Sequence, residues 1–271
     1  ITMKDFSLSL ILPTINESEN LSILIPRIVR KFNDLNIDNY QILVVDDGST
    51  DDTIEVVNLM NASDEKIQIL SRNNTPSLPN SIFDGITQSK YDNVMWMDAD
   101  GSMTPESVEK IILKYKENDE NVVVGSRFVS GGGYKGVKDI GGYSFFKAIR
   151  NVRKSKDSVA GMVVSIIFNK FLKIIFPENI KDVTSGFIIG KKKYFRENAF
   201  NRSSYGEYFL YMLNDLYFQK IKVIEVGYIC ETRVTGESKT ASSLFQLIKR
   251  GIPYINAAII SRRERNENTR L

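Results

Sequence analysis

Two aspartates one residue apart, Asp98-Ala99-Asp100, follow directly on the apolar run Asn93-Val94-Met95-Trp96-Met97. Earlier in the chain a second apolar run, Ile42-Leu43-Val44-Val45, ends in Asp46-Asp47-Gly48-Ser49. Carboxylates are costly at the edge of a buried sheet unless something binds there. Two strands ending this way predict one pocket that takes a polar ligand together with a hard cation. Histidine is absent from all 271 residues. That excludes a histidine base, a Ser-His or Cys-His nucleophile pair and the ordinary zinc sites. The chemistry left to this chain uses carboxylates, cationic side chains, hydroxyls and a metal bound through oxygen.

The acidic motifs need strands to carry them, and the first half of the chain supplies strands in alternation with helices. Leu8 to Leu12 reads as a strand stopped by Pro13. Apolar residues at Leu21, Leu24, Ile25, Ile28, Val29 and Phe32 have helical spacing, so a helix is expected over Glu19–Phe32. The order then runs strand Gln41–Val45, helix from about Asp51 to Met60, strand Lys66–Leu70, helix Leu78–Ser89 and strand Asn93–Met97. A helix begins at Pro105 with Thr104 as its N-cap, and Val122-Val123-Val124 is a further strand. This order predicts an α/β fold with a mostly parallel, doubly wound sheet flanked by helices. Ligands of such sheets bind beyond the carboxyl ends of the strands, where both acidic motifs lie.

The second half is less regular. Glycines 131–133 and 141–142 bracket a loop, and the basic residues Lys147, Arg150, Arg153, Lys154 and Lys156 lead into an apolar stretch, Ser158–Phe176. Its small or polar positions, Ser158, Gly161, Ser165, Asn169 and Lys173, form one narrow stripe on a helix. Lys170 and Lys173 lie inside a stretch already short for a membrane span, so two readings stand: a helix buried in the core, or one lying in the membrane interface. Strands are expected at Ser185–Ile189 and Lys222–Val226, and a helix at Gly206–Gln219. Leu244–Ile260 reads as an amphipathic segment, kinked or broken at Pro253 and followed by a charged, frayed tail.

The totals bound the rest. A net charge of +3 is too small to imply a nucleic-acid partner. The single cysteine, Cys230, excludes an internal disulfide and fits a reducing compartment or a cytosolic membrane face. The apolar run Ser7–Pro13 is too short for a signal peptide and enters a motif directly.

Taken in order, Pro13-Thr14-Ile15-Asn16-Glu17-Ser18-Glu19-Asn20-Leu21, Val45-Asp46-Asp47-Gly48-Ser49-Thr50-Asp51-Asp52-Thr53 and Met97-Asp98-Ala99-Asp100 closely resemble the inverting family-2 glycosyltransferases of the GT-A fold. Gly125-Ser126-Arg127-Phe128, Asp182-Val183-Thr184-Ser185-Gly186-Phe187 and Arg233-Val234-Thr235-Gly236-Glu237-Ser238-Lys239 resemble the branch that transfers sugars to dolichyl or polyprenyl phosphate. The resemblance implies a GT-A-type, Rossmann-like catalytic domain over residues 1–239, including an interfacial helix near 158–176, with an amphipathic C-terminal segment and charged tail over 240–271.

It implies further that Pro13, Asn16, Glu17 and Asp46 line the base and ribose pocket of a nucleotide diphosphate sugar, with Asp47 close by. Asp98 and Asp100 would approach the donor diphosphate through Mg²⁺ or Mn²⁺. Arg127, Arg233 and Lys239 would contact phosphate. Asp182 would be the general base if the acceptor is a hydroxyl. With a lipid phosphate as acceptor, already anionic near neutral pH, it would instead orient neighbouring groups.

The expected reaction is inverting transfer of a hexosyl unit from a GDP- or UDP-sugar to a polyprenyl or dolichyl phosphate at the cytosolic membrane face. The chain would bind the membrane surface peripherally or belong to a membrane-anchored protein, with room for a membrane-embedded partner. Two alternatives stand beside it: transfer to a glycan hydroxyl in surface polysaccharide synthesis, and a nucleotide-sugar-binding protein without transferase activity. Two departures from the family pattern bear on the donor. Ser102 stands where the lipid-phosphate branch often has glutamine, and the loop Asn73–Pro79 lacks the glycines usual near the donor.

Overall fold

The computed structural model describes residues 3, 5–134, 137–138, 159–176, 179–231 and 244–268. Among these, one sheet dominates, with strands β1 (Ser7–Thr14), β2 (Asn39–Asp46), β3 (Ile67–Ser71), β4 (Asn93–Trp96), β5 (Val122–Ser126), β8 (Ile188–Lys191) and β9 (Val223–Gly227). Their spatial order is β3-β2-β1-β4-β8-β5-β9. The pairs β3/β2, β2/β1, β1/β4 and β5/β9 are parallel, and β8 alone runs against both of its neighbours. A small second sheet joins β6 (Gly133–Tyr134), β7 (Val137–Lys138) and β10 (Ile229–Cys230).

The strands read as unbroken apolar runs because both faces of the sheet are covered. Successive side chains alternate between two cores. Leu8, Leu10, Leu12, Ile42, Val44, Met95 and Val123 point to one, under α1 (Ser18–Asp34), α2 (Thr53–Ser63) and α4 (Pro105–Glu117). Ile11, Leu43, Val45, Val94, Trp96 and Val124 point to the other, under α3 (Leu78–Gln88), α7 (Tyr208–Phe218) and α8 (Leu244–Asn268). Helix α3 comes unusually close to the sheet because Gly85 lacks a side chain. A Cβ there would lie 2.5 Å from the Ile11 Cγ2 atom.

Several boundaries differ from expectation for identifiable reasons. Pro13 does not stop β1, which continues to Thr14. Pairing with β4 ends at Ile11, so the missing N–H of Pro13 costs no ladder bond on that side. Helix α4 begins as expected, with Thr104 Oγ1 accepting from the Ser107 N–H at 3.3 Å and Pro105 in the first turn. Pro253 does not break the C-terminal segment. One helix runs through it to Asn268, and Arg265 near its end is buried, donating to Asn214 Oδ1 at 2.7 Å.

Helix α5 (Val159–Ile175) is neither wholly buried nor wholly exposed. Its narrow polar stripe turns inward at Asn169, alongside buried Ile166, Leu172 and Phe176. Ile167, Phe171 and Ile174 face outward, Ile174 with 73% of its surface exposed. No helix among the described residues is long and apolar enough to cross a membrane. The short helix α6 (Glu197–Asn201) completes the set used below.

Candidate active site

Strand direction decides which residues meet. β1, β2, β4, β5 and β9 all end at one edge, and β8 begins there because it is reversed. Asp46, Asp98, Asp100, Arg127 and the loop 182–187 therefore gather at that edge, either side of the end of β1.

Asp46 closes β2, opposite Thr14 in register, and is 1% exposed. Its Oδ2 accepts from the Gly48 and Ser49 N–H groups, both at 3.2 Å. Its Oδ1 is buried with no hydrogen-bond partner among the described residues. A buried carboxylate oxygen left this way costs free energy until a donor arrives. A base N–H or a ribose hydroxyl is such a donor.

Asp47, its neighbour, is differently employed. Its Oδ1 takes the guanidinium of Arg72 and its Oδ2 the Ser77 N–H. Arg72 also donates to Asp84 Oδ2 at 2.6 Å and to Ser81 Oγ at 3.2 Å. Asp47 thus fixes the glycine-free loop Asn73–Pro79 and the start of α3, where Ser77 Oγ accepts from the Asn80 N–H.

Asn16 is likewise a clamp, in left-handed conformation with φ 55°. Its Oδ1 accepts from the Thr50 N–H at 2.7 Å and its own N–H donates to Ser49 Oγ at 2.8 Å. The Glu17 N–H donates to Thr53 Oγ1 at 3.0 Å, and the Glu17 carboxylate accepts from Asn20 Nδ2 at 2.6 Å. Pro13 lies half-buried beside Thr14 at the end of β1. These contacts lock the loops after β1 and β2 together.

Asp98 is exposed at the end of β4, while Asp100 is buried two residues on. Gly101, at φ 78°, makes the turn that folds the chain back, so the Ser102 N–H donates to Asp100 Oδ1 at 3.0 Å. The Ser102 carbonyl accepts from the Glu231 N–H at 2.9 Å, tying the residue after β10 to this turn. Among the described residues there is no cluster of three or more metal-ligating side chains. Two carboxylates one residue apart suit a cation whose remaining ligands are diphosphate oxygens and water.

Asp182 is wholly buried. Its Oδ2 accepts from the Arg127 N–H at 3.0 Å and Nε at 2.8 Å, and its Oδ1 from Arg127 Nη2 at 2.7 Å. The Thr184 N–H adds a further bond to Oδ1 at 3.2 Å. Burial works against charge on Asp182, but the field and hydrogen bonds of Arg127 outweigh it and hold the carboxyl below its ordinary range. Arg127 is raised above the usual guanidinium value by the same pairing, against its own burial. The loop is braced from outside as well. Glu225 on β9 accepts from the Lys181 and Asp182 N–H groups, and Asn169 on α5 bonds the Lys181 carbonyl and the Val183 N–H.

Arg72, Asp84, Asn169 and Glu225 were not singled out from the sequence. Only Asn169 left a trace there, as one member of the stripe on α5. Cys230 sits in β10; burial raises its thiol to about 11, so the thiol is protonated at neutral pH. Arg233 and Lys239 lie outside the described residues, as do the basic cluster 147–156 and the glycines 141–142.

The fold is similar to that of glucosyl-3-phosphoglycerate synthase from Mycobacterium tuberculosis, solved with Mn²⁺, UDP-glucose and phosphoglyceric acid. The TM-score is 0.62 at 16% identity, covering 94% of this chain and 79% of that one. Mannosyl-3-phosphoglycerate synthase from Rubrobacter xylanophilus gives 0.61 at 15% identity, covering 98% and 75%. At such identities the likeness concerns the fold, a GT-A-type α/β arrangement. In sequence, the dolichol-phosphate mannosyltransferase of Pyrococcus furiosus is 30% identical over 242 residues, 89% of this chain and 61% of that protein. The polyprenol monophosphomannose synthase of Mycolicibacterium smegmatis is 27% identical over 181 residues, 65% of this chain and 58% of that protein. The chain therefore spans less than two thirds of the length of either relative. Residues 9–199 match the model of Glycosyl transferase family 2, and the chain belongs to that family.

Proposed function

We propose that this chain transfers a hexosyl unit, with inversion, from a GDP- or UDP-sugar to a polyprenyl or dolichyl phosphate. Family membership and the names of its relatives support the reaction class and the lipid-phosphate acceptor. The observation that favours a phosphate over a hydroxyl acceptor is the full engagement of Asp182. A carboxylate that accepts two donors from one guanidinium, with its pKa held down, is a poor general base. A lipid phosphate needs no base, because it is anionic near neutral pH.

In this reading Asp46 receives the base or ribose through its unpartnered Oδ1, with Pro13 and Glu17 beside it, while Asn16 and Asp47 hold the surrounding loops. Asp98 and Asp100 would hold Mg²⁺ or Mn²⁺. When bound, the cation neutralises charge on the leaving nucleoside diphosphate. Arg127, aligned by Asp182, would contact the phosphates, the role that the sequence motif also assigns to Arg233 and Lys239. The relation of residues 1–239 as catalytic domain to the C-terminal segment follows the same proposal, with α8 completing the second core.

The reading extends to a membrane surface. Ile167, Phe171 and Ile174 on α5 and Ile252, Ile259 and Ile260 on α8 are exposed, with Lys170, Arg262 and Arg263 exposed among them. Apolar side chains interspersed with cations suit an anionic bilayer interface, which would bring a lipid acceptor to the site from the cytosolic face. The test is incubation with Mn²⁺ or Mg²⁺, a panel of GDP- and UDP-sugars and a short polyprenyl phosphate. A metal-dependent glycolipid lost in Asp100→Ala supports the proposal. Absence of any glycolipid with every donor sinks it.

A further inference from the structure

Tyr208, the first residue of α7, is 3% exposed, and its hydroxyl oxygen accepts from Trp96 Nε1 at 3.0 Å. That bond uses the oxygen as acceptor and turns the phenolic proton away from Trp96. Among the described residues no acceptor takes that proton, although burial makes an unmade hydrogen bond costly. Trp96 is the last residue of β4, so the bond fixes the phenol to the strand that carries Asp98 and Asp100.

Gly186 shows what lies in front of the hydroxyl. A Cβ built on Gly186 would have Tyr208 Oη at 3.7 Å and Asp98 Oδ1 at 3.9 Å as its neighbours within 4 Å. The missing side chain therefore leaves one point within 4 Å of both a hydroxyl with a proton to give and a carboxylate oxygen. A phenol keeps its proton at neutral pH, so the hydroxyl is a donor as well as an acceptor.

From this juxtaposition we infer that Tyr208 is a specificity-determining residue for the donor sugar, donating its phenolic proton to a sugar hydroxyl that in turn donates to Asp98 across Gly186. A sugar hydroxyl both donates and accepts, and this pair offers one partner of each kind. A buried site built to hydrogen-bond a hydroxyl rejects analogues lacking it, because its polar groups are then stranded. The inference rests on the proposed nucleotide-sugar reading and adds to it the contact that selects the sugar.

The experiment compares GDP and UDP with the corresponding GDP- and UDP-hexoses, in Mn²⁺, by calorimetry on the whole chain. In Tyr208→Phe the affinity for the nucleoside diphosphate should stay within about twofold, while that for the nucleotide sugar falls about tenfold. A deoxy-sugar donor lacking the contacted hydroxyl should bind wild type and Tyr208→Phe alike. Tyr208→Phe also leaves the Trp96 N–H without its acceptor, so a second variant guards against a folding defect. Gly186→Ala meets nothing closer than 3.7 Å and has an unstrained backbone, yet its methyl group occupies that point and should reproduce the selective loss. Equal losses for diphosphate and nucleotide sugar, or no loss for either in Gly186→Ala, overturn the assignment of Tyr208 while leaving the transferase reading intact. Failure of wild type to bind any nucleoside diphosphate overturns both.

Discussion

Arg127 and Asp182, 55 residues apart in sequence, meet as a two-bond fork with the carboxylate wholly enclosed. The backbone N–H of Arg127 closes the arrangement, so the guanidinium is held from its own main chain as well as its tip. In the proposed function, Asp182 aligns the guanidinium assigned to the phosphates.

Asp182→Asn should lower turnover about 100-fold through misplacement of Arg127. Arg127→Lys should lose as much, because an ammonium cannot make the fork. The pH–rate profile of the residual Asp182→Asn activity should keep the wild-type shape. A wild-type acid limb that vanishes in Asp182→Asn would return Asp182 to the role of base.

The same pair sets an acid limit on stability. The folded pKa of Asp182 lies below its ordinary value of 3.8, so the unfolded chain takes up the proton first as pH falls. The stabilisation is complete above the unfolded pKa and is lost as pH drops through the folded one. Urea titrations from pH 6 to pH 3 should show a fall in wild-type stability at the acid end that is shallower in Asp182→Asn. Parallel pH dependences would contradict the assignment.

Arg72, itself buried, joins buried Asp47 to the partly exposed Asp84, and removing it leaves the Asp47 carboxylate buried without its countercharge. Arg72→Met should cost about 3–5 kcal/mol. Thermal denaturation should record this as a Tm lower by about 5–9 °C. The double variant Asp47→Asn/Arg72→Met should lose less than the sum of the single changes. Additive losses would mean that the pair is not coupled.

How much of this was legible beforehand depended on distance along the chain. The strands under Asp46 and Asp98 were readable because each acidic motif ends its own apolar run, and their convergence followed from a parallel sheet. The reversal of β8 was not readable. Its four residues look like any buried strand, yet that reversal brings the Asp182 loop to the active edge. The Arg127–Asp182, Arg72–Asp47 and Trp96–Tyr208 contacts join separate elements, so no local spacing records them. A break at Pro253 is overridden by tertiary packing: Ala257 and Ala258 of the same helix are anchored in the second core, and Arg265 is buried near its end.

The outward faces of α5 and α8 predict a lipid-surface phenotype. Phe171→Glu/Ile174→Glu should lower binding to vesicles containing anionic lipid at least about tenfold, since each buried apolar side chain contributes about 1.5–3 kcal/mol. Stability should change by less than about 0.5 kcal/mol per exposed site. Unchanged co-sedimentation with vesicles would remove this face from the account.

The most direct test of the central claim sets two acceptors side by side: a short polyprenyl phosphate and the matching polyprenol, each with the preferred nucleotide sugar and Mn²⁺. The account predicts glycosylation of the phosphate and none of the alcohol, with the anomeric configuration inverted. Transfer to the alcohol at a comparable rate would show that a hydroxyl is activated at this site, and would contradict the assignment of a phosphate nucleophile.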